Sequence, residues 1–323
     1  MIEFAAIERY VPPDAPSAPL LRAMFVRNEW MLRPMLAMLE EESLPDYLCE
    51  VERIWNTLHA IRPIDPERRV AEVIRGLQFH SMEFLKLQVQ FARTGHYRSS
   101  DADAIEREIY QVGPKMQQYL DGLLLTYIAW PNHLRVLRWY RSAYLGRGPF
   151  GQCLEVGPGH GYLALEQLRA SPANVLTAFD LSPHSVAYTR DLLRVNGVDP
   201  GRYEVNQSDA QIGLDSTVLA FDRIVVAEVM EHVRDPLGML RSLVARAHEQ
   251  TLFFVTTVVN IEAPDHIYLF RTLADVRDLL AGAGLAIVDE LDLPMEMNLE
   301  LREPAYEVAV VCRPGVFLDR HGR

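Results

Sequence analysis

The stretch Cys153-Leu154-Glu155-Val156-Gly157-Pro158-Gly159-His160-Gly161 decides the fold. An apolar run ends at Glu155-Val156 and enters three glycines at alternate positions, which let the chain turn tightly beneath a ligand. Tyr162 to Leu168 has helical composition, so the segment reads as strand, glycine turn, helix. A second strand, Val175 to Phe179, closes on Asp180, 19 residues after Gly161, where a carboxylate can bond both hydroxyls of a ribose. These features predict a nucleotide-cofactor cradle with Gly157, Gly159, Gly161, Asp180 and the adjacent Leu181 as contacts.

Gly-x-Gly-x-Gly also fits NAD and flavin sites, and some tight turns. Here Glu155 stands two residues ahead of Gly157 and puts a negative charge where a dinucleotide's pyrophosphate would lie, which favours a cationic cofactor. The stretch from Glu155 to Gly161 closely resembles the first motif of class I S-adenosylmethionine-dependent methyltransferases, in which the acidic residue lies near the methionyl end. Asn206-Gln207-Ser208-Asp209-Ala210 follows a short strand at Tyr203 to Val205 and extends the resemblance. Asp209, next to Ala210, resembles the family's acceptor for the adenine amino group, although a loop Asp also serves as a turn former. Phe221 to Glu228 supplies a fourth strand, nearly continuous in apolar residues as a strand buried on both faces should be. Its end, at Glu228, is expected to face the transferable methyl group.

The 323 residues, 49% of them hydrophobic, suffice for a large core and two domains. A formal charge of −12 repels polyanions, so nucleic acid would require a local basic patch, and no dense one is visible. Cys49, Cys153 and Cys312 are far apart and show no zinc or disulfide spacing. With no basic-flanked apolar leader and no membrane-length apolar run, residence is expected to be cytoplasmic and off the membrane.

After an opening with four prolines by Pro19, residues from about 20 to 145 have helical periodicity. Helices are expected over Leu20–Glu41 with a kink near Pro34, Asp46–Ile61, Pro66–Arg93, Asp101–Gln111, Lys115–Ala129, and from Trp130-Pro131-Asn132-His133 through Tyr144. The turn-rich Gly146-Arg147-Gly148-Pro149 marks the junction, giving a helical substrate-covering domain over 1–147 and a catalytic domain over 148–323. Beyond it strands and helices alternate: a helix over Leu237–His248, a strand over Thr251–Thr257, a helix over Thr272–Ala283, and final strands at Leu285–Leu293 and Tyr306–Cys312. The fold class is α/β, a Rossmann-like class I methyltransferase sheet with a terminal antiparallel hairpin and a separate all-helical N-terminal domain.

A second constellation is Glu228-Val229-Met230-Glu231-His232, together with Asp265-His266 after the fifth strand. Both loops leave the carboxyl ends of adjacent strands, where open α/β sheets bind ligands. Glu228, Glu231, His232 and His266 combine hard anionic oxygens with imidazole nitrogens, a set suited to a divalent cation, Mg²⁺, Mn²⁺, Fe²⁺ or Zn²⁺. The Glu-x-x-Glu-His pattern with a later His resembles metal-dependent small-RNA 2′-O-methyltransferases. Its Glu-Val-x-Glu-His-Val part resembles ubiquinone-biosynthesis O-methyltransferases. The resemblance covers residues 150 to 312, and the helical region matches neither family. Without a metal, His232 or His266 has the chemistry of a general base, and Glu228 and His232 are then ordinary residues of a methyltransferase loop.

Tyr119, Tyr127, Trp130, Asn132 and His133 put aromatic walls and polar tips near the domain junction, either as core or as a substrate pocket. The combined reading is an S-adenosylmethionine-dependent methyltransferase acting on a hydroxyl oxygen of a small metabolite. Methylation of an enolisable carbon beside a 2-oxo acid, RNA 2′-O-methylation, and a non-enzymatic cofactor-binding module are the alternatives. The sequence does not define the oligomeric state.

Overall fold

A computed structural model describes residues 14–39, 43–96, 113–215, 220–263, 265–295 and 303–315. Among the described residues five helices come first: α1 (Ala18–Met38), α2 (Leu44–Ile61), α3 (Pro66–Thr94), α4 (Gly113–Ala129) and α5 (Pro131–Trp139). The helix expected over 101–111 lies outside the described residues. Asp65 caps α3 by accepting from the Arg68 N–H, and Gly95 ends it in the left-handed region at φ +70°. Pro34 sits inside α1.

The last helix does not run through Tyr144 as α-helix. It widens into a π-helical turn over Tyr140–Leu145. The buried rings of Tyr140 and Tyr144 stack there at 5.3 Å, and the Tyr144 hydroxyl lies 3.2 Å from Ile224 O and 3.3 Å from Leu252 O. That hydroxyl ties the end of the helical region to two strands of the sheet.

The remainder alternates as expected: β1 (Gln152–Val156), α6 (Tyr162–Ala170), β2 (Val175–Asp180), α7 (Pro183–Val195), β3 (Tyr203–Gln207), α8 (Ala210–Asp215), β4 (Phe221–Ala227), α9 (Pro236–Val244), β5 (Ala247–Val259), α10 (Leu273–Gly282), β6 (Leu285–Pro294) and β7 (Tyr306–Pro314). Helix α9 is shorter than expected at its end, because His248 already belongs to β5. Thr272 and Asp275 form a capping box that starts α10.

The sheet order is β3-β2-β1-β4-β5-β7-β6. The first five strands pair in parallel, while β7 runs antiparallel to both neighbours. The order reverses between β1 and β4, and the crevice at that switch point is where an open α/β sheet binds its ligand. Consecutive residues of β1, β4 and β5 (Cys153 and Leu154, Val225 and Ile224, Phe254 and Phe253) enter opposite cores.

One of those cores is continuous with the helical region. Leu20, Trp55, Leu77, Leu124 and Leu137 belong to the same buried cluster as Tyr162, Leu192 and Phe254. Two polar networks reinforce the union. Fully buried Arg69 of α3 makes a bidentate pair with Asp121 of α4, at 2.7 and 2.9 Å, and Asp121 also accepts from Tyr188 of α7 at 2.9 Å. Arg141 of the π turn pairs bidentately with Glu50 of α2 and donates to Glu166 of α6, while the Tyr162 hydroxyl donates to Glu50.

Helices α3 and α4 meet backbone to backbone. A Cβ on Gly122 would lie 2.5 Å from the Gly76 carbonyl oxygen, and one on Gly76 would lie 2.4 Å from Gln118 O. Gln88 of α3 then reaches over the sheet and donates to Glu262 O in the loop after β5. The helical layer is thereby fixed across the carboxyl edge where the site lies.

Candidate active site

A cavity of about 600 Å³ opens at that edge. Its wall includes Glu155, Gly157, Gly159, Asp180, Leu181, Asp209, Ala210, Glu228, His232 and His266 from the sheet side, and Tyr119, Tyr127, Trp130 and His133 from the helical side. The expected cofactor contacts and the expected aromatic pocket therefore share one space. Gly161 is set back from the wall and shapes the turn, with φ +77° and a Cβ position only 2.7 Å from Thr189 Cγ2. Asn132 holds the far end instead, donating to Pro294 O at 3.3 Å and approaching Met295 Sδ at 3.2 Å.

The glycine turn has the geometry of a cradle. Gly157 and Gly159 have φ of +63° and +56°, and a side chain on Gly157 would meet Val229 at 2.9 Å. Asp180 holds the turn: Oδ2 accepts from the Gly159 N–H at 3.2 Å and Oδ1 from the Ser182 N–H at 2.8 Å. Each oxygen keeps a lone pair for a further donor. Burial pushes the Asp180 pKa up to about 6 despite those two N–H groups. Burial likewise raises Glu155 to about 8, against a 2.7 Å hydrogen bond from Gln167 Nε2. Two protonatable carboxyls without a cation between them make a cavity suited to a positively charged guest.

At the end of β4 the chain is strained. Glu228 has φ +51°, a left-handed conformation rarely taken by a non-glycine residue. Its N–H bonds to Thr256 O at 3.1 Å, and its carboxyl accepts from Thr256 Oγ1 at 2.7 Å. Three residues on, Glu231 is completely buried. Its Oε2 accepts from Thr257 Oγ1 at 2.8 Å, while Oε1 has no hydrogen-bond partner. Burial, and then the neighbouring Glu228 charge, hold its pKa well above the carboxylate range.

Donor atoms of Glu231, His232 and His266 lie within 4.8 Å of one another. Glu228, expected as a fourth ligand, stands beside this cluster in the cavity wall and outside it. The two imidazoles meet edge to face at 4.9 Å. Each has Nδ1 against a backbone carbonyl, His232 at 2.9 Å from Asp265 O and His266 at 3.0 Å from Ile261 O. A carbonyl can only accept, so Nδ1 carries the hydrogen and Nε2 keeps its lone pair. A buried carboxylate oxygen lacking a donor, beside two oriented imidazole lone pairs, fits a divalent cation.

Several wall residues had no signal in the sequence. His80 and Phe84, one turn apart on α3, stack around Trp130 with ring centroids at 5.6 and 5.4 Å, and Tyr119 meets His80 at 4.9 Å. His160 of the glycine loop packs on Tyr127 at 5.4 Å. Glu307 of β7 is 5% exposed, and burial followed by the Glu228 charge holds its pKa well above the carboxylate range. The spacing of His80 and Phe84 marks one face of a helix, and nothing local says which neighbour that face meets.

Comparison with known proteins agrees with this geometry. Residues 134–290 match a family model described as a methyltransferase domain, starting inside α5. The chain is 28% identical over 209 residues to the ubiquinone biosynthesis O-methyltransferase of Methylocella silvestris, a match covering 58% of this chain and 77% of that protein. An O-methyltransferase family protein from Burkholderia thailandensis has a similar fold, with TM-score 0.51 and 10% identity over 76% of this chain and 71% of that one. The StiE O-MT matches with TM-score 0.46 and 16% identity, over 61% and 78%. The family match covers just under half of the chain, and with these relatives it supports a class I S-adenosylmethionine-dependent methyltransferase. The matched domain is that of an enzyme, and its glycine turn, held by the half-buried Asp180 through the Gly159 N–H, borders the cavity.

Proposed function

We propose that the enzyme methylates a hydroxyl oxygen of a small metabolite, with residues 1–147 covering the acceptor and 148–323 holding the cofactor. The carrying observation is that the cradle, His232 and His266 with the buried Glu231 behind them, and the aromatic residues of α3 to α5 meet at one cavity. Asp180 is placed to hold the ribose, and Glu155 to face the cationic methionyl end. In the transfer, an acceptor lone pair forms the new bond to the methyl carbon, the methyl–sulfur bond breaks, and its electron pair stays on sulfur as a neutral thioether.

Glu231, His232 and His266 would hold a divalent cation, and one carboxylate with two imidazoles suits first-row transition ions better than Mg²⁺. A cation there supplies the charge that lets a nearby hydroxyl give up its proton near neutral pH. Trp130, His80 and Tyr119 exclude water from the transferring methyl. Among the described residues the cavity wall carries eight acidic side chains (Glu83, Glu155, Asp180, Asp209, Glu228, Asp235, Asp265 and Glu307) against one arginine, Arg234. That balance supports a small neutral or cationic acceptor over RNA or a 2-oxo acid.

The test is a transfer assay with methyl-labelled S-adenosylmethionine, a pooled small-metabolite extract and, separately, total RNA. Label in an acid-stable methyl ether of a small compound is expected. Label in RNA, or on carbon beside a keto acid, overturns the reading.

A further inference from the structure

Two hydrogen-bond acceptors face each other within the cavity wall. His133 Nδ1 lies 2.7 Å from Thr126 Oγ1, and that hydroxyl donates its own hydrogen to Leu123 O at 2.6 Å. With its proton committed, Oγ1 can only accept from the ring. Nδ1 therefore carries the hydrogen of the neutral imidazole and Nε2 keeps its lone pair. Burial holds the ring neutral, with its pKa pushed down to about 3.

Nε2 stands 4.0 Å from Oε2 of Glu307. This is beyond direct hydrogen-bond reach, and among the described residues the Glu307 carboxyl has no hydrogen-bonded side-chain partner, its other side-chain neighbour being the like charge of Glu228. Burial and the Glu228 charge raise the Glu307 pKa, so an ammonium, a cation with more than one hydrogen, would both let the carboxyl ionise and satisfy it together with the imidazole lone pair. Aromatic rings border His133: Trp130 meets it edge to face with centroids 4.9 Å apart, and His80 stacks on Trp130. Aromatic faces stabilise cations, and the wall's excess of carboxylates repels anions.

We propose that the methyl acceptor carries an amine, held as an ammonium between Glu307 Oε2 and His133 Nε2 against Trp130, so that the cavity selects cationic acceptors and rejects carboxylates and phosphates. This deepens the small-molecule reading and rests on it. Glu307 and His133 act here as binding residues that position the reacting oxygen elsewhere in the same molecule.

The probes are three phenols of matched shape: tyramine, 4-ethylphenol and 3-(4-hydroxyphenyl)propionate. Each is titrated calorimetrically into protein saturated with S-adenosylhomocysteine. Tyramine is expected to bind roughly tenfold or more tightly than 4-ethylphenol, with the carboxylate weakest, a margin typical of one charged hydrogen bond. Glu307→Gln, nearly isosteric, should remove the preference while leaving 4-ethylphenol unchanged, and His133→Asn should reduce it.

Equal or tighter binding of the carboxylate, a preference that survives Glu307→Gln, or failure of all three phenols to bind overturns the proposal. So does a loss of S-adenosylhomocysteine affinity in Glu307→Gln, which would assign the pair to the cofactor. Normal S-adenosylhomocysteine binding with no amine preference defeats this inference alone. Absence of S-adenosylhomocysteine binding defeats the function it rests on.

Discussion

His232 and His266, 34 residues apart in the loops after β4 and β5, meet edge to face at 4.9 Å, each with Nδ1 tied to a backbone carbonyl. Two separate loops thus present two Nε2 lone pairs beside one buried carboxylate. His266→Ala is expected to lower bound divalent cation at least tenfold while changing S-adenosylhomocysteine affinity by less than about threefold, because the cluster is built on the loops after β4 and β5 and not on the glycine turn or Asp180. Elemental analysis and calorimetry on the same sample decide this. Undiminished metal in the variant would remove His266 from the site.

Asp180→Ala is expected to weaken S-adenosylmethionine binding by ~2–3 kcal/mol, the scale of a charged hydrogen bond plus a turn that loses its two N–H acceptors. Asp180→Asn keeps the shape and one acceptor oxygen and should lose less. Calorimetry that finds equal affinities for wild type and Asp180→Ala would contradict the ribose assignment.

The fold within β1 to β5 was legible in the sequence because each strand and turn is local. The glycine spacing, Asp180 and the apolar run before Glu228 need no distant partner to be recognised. The wall facing them is built from long-range contacts. Glu307 is the second residue of its strand, where a charged residue ordinarily reads as the solvent end, yet it is buried because β7 lies between β5 and β6 rather than at an edge. The π turn over Tyr140–Leu145 was equally silent. Its widening accompanies the reach of Tyr144 to Ile224 and Leu252, residues 80 and 108 positions away. Aromatic spacing in α4 and α5 left core and pocket undecided, and the structure shows Tyr127 serving as both.

Stability should depend on pH through Glu155 and Asp180. Both carboxyls have raised pKa values in the fold, about 8 and about 6 against reference values of 4.5 and 3.8. The folded state therefore binds their protons more tightly than the unfolded state. The associated stability is fully present below about pH 4 and is lost as pH rises through 6 and then 8. A cofactor cation beside Glu155 offsets that loss, so the melting-temperature gain from S-adenosylmethionine should grow between about pH 6 and pH 9. Glu155→Gln should flatten the trend, and a cofactor shift that shrinks with rising pH in the wild type would refute the pairing.

The α3–α4 crossing should tolerate no side chain at its contact. Gly122→Ala places a Cβ 2.5 Å from the Gly76 carbonyl oxygen, so a destabilisation of about 1–3 kcal/mol or more is expected from overpacking. Gly148→Ala is the control, since nothing lies within 4 Å of its Cβ position and only its φ of +79° is strained. Denaturant titrations that rank Gly148→Ala as the more damaging change would contradict the close helix approach.

The proposed cation held by Glu231, His232 and His266 would sit beside the transferable methyl group. Mn²⁺-loaded protein bound to S-adenosylmethionine carrying a ¹³C-labelled methyl tests this directly, because a paramagnetic ion broadens nearby carbon resonances steeply with proximity. The methyl signal is expected to broaden strongly on Mn²⁺ addition to the wild type and to stay sharp in His266→Ala. A methyl signal that remains sharp in wild-type protein shown by elemental analysis to hold Mn²⁺ would contradict the account.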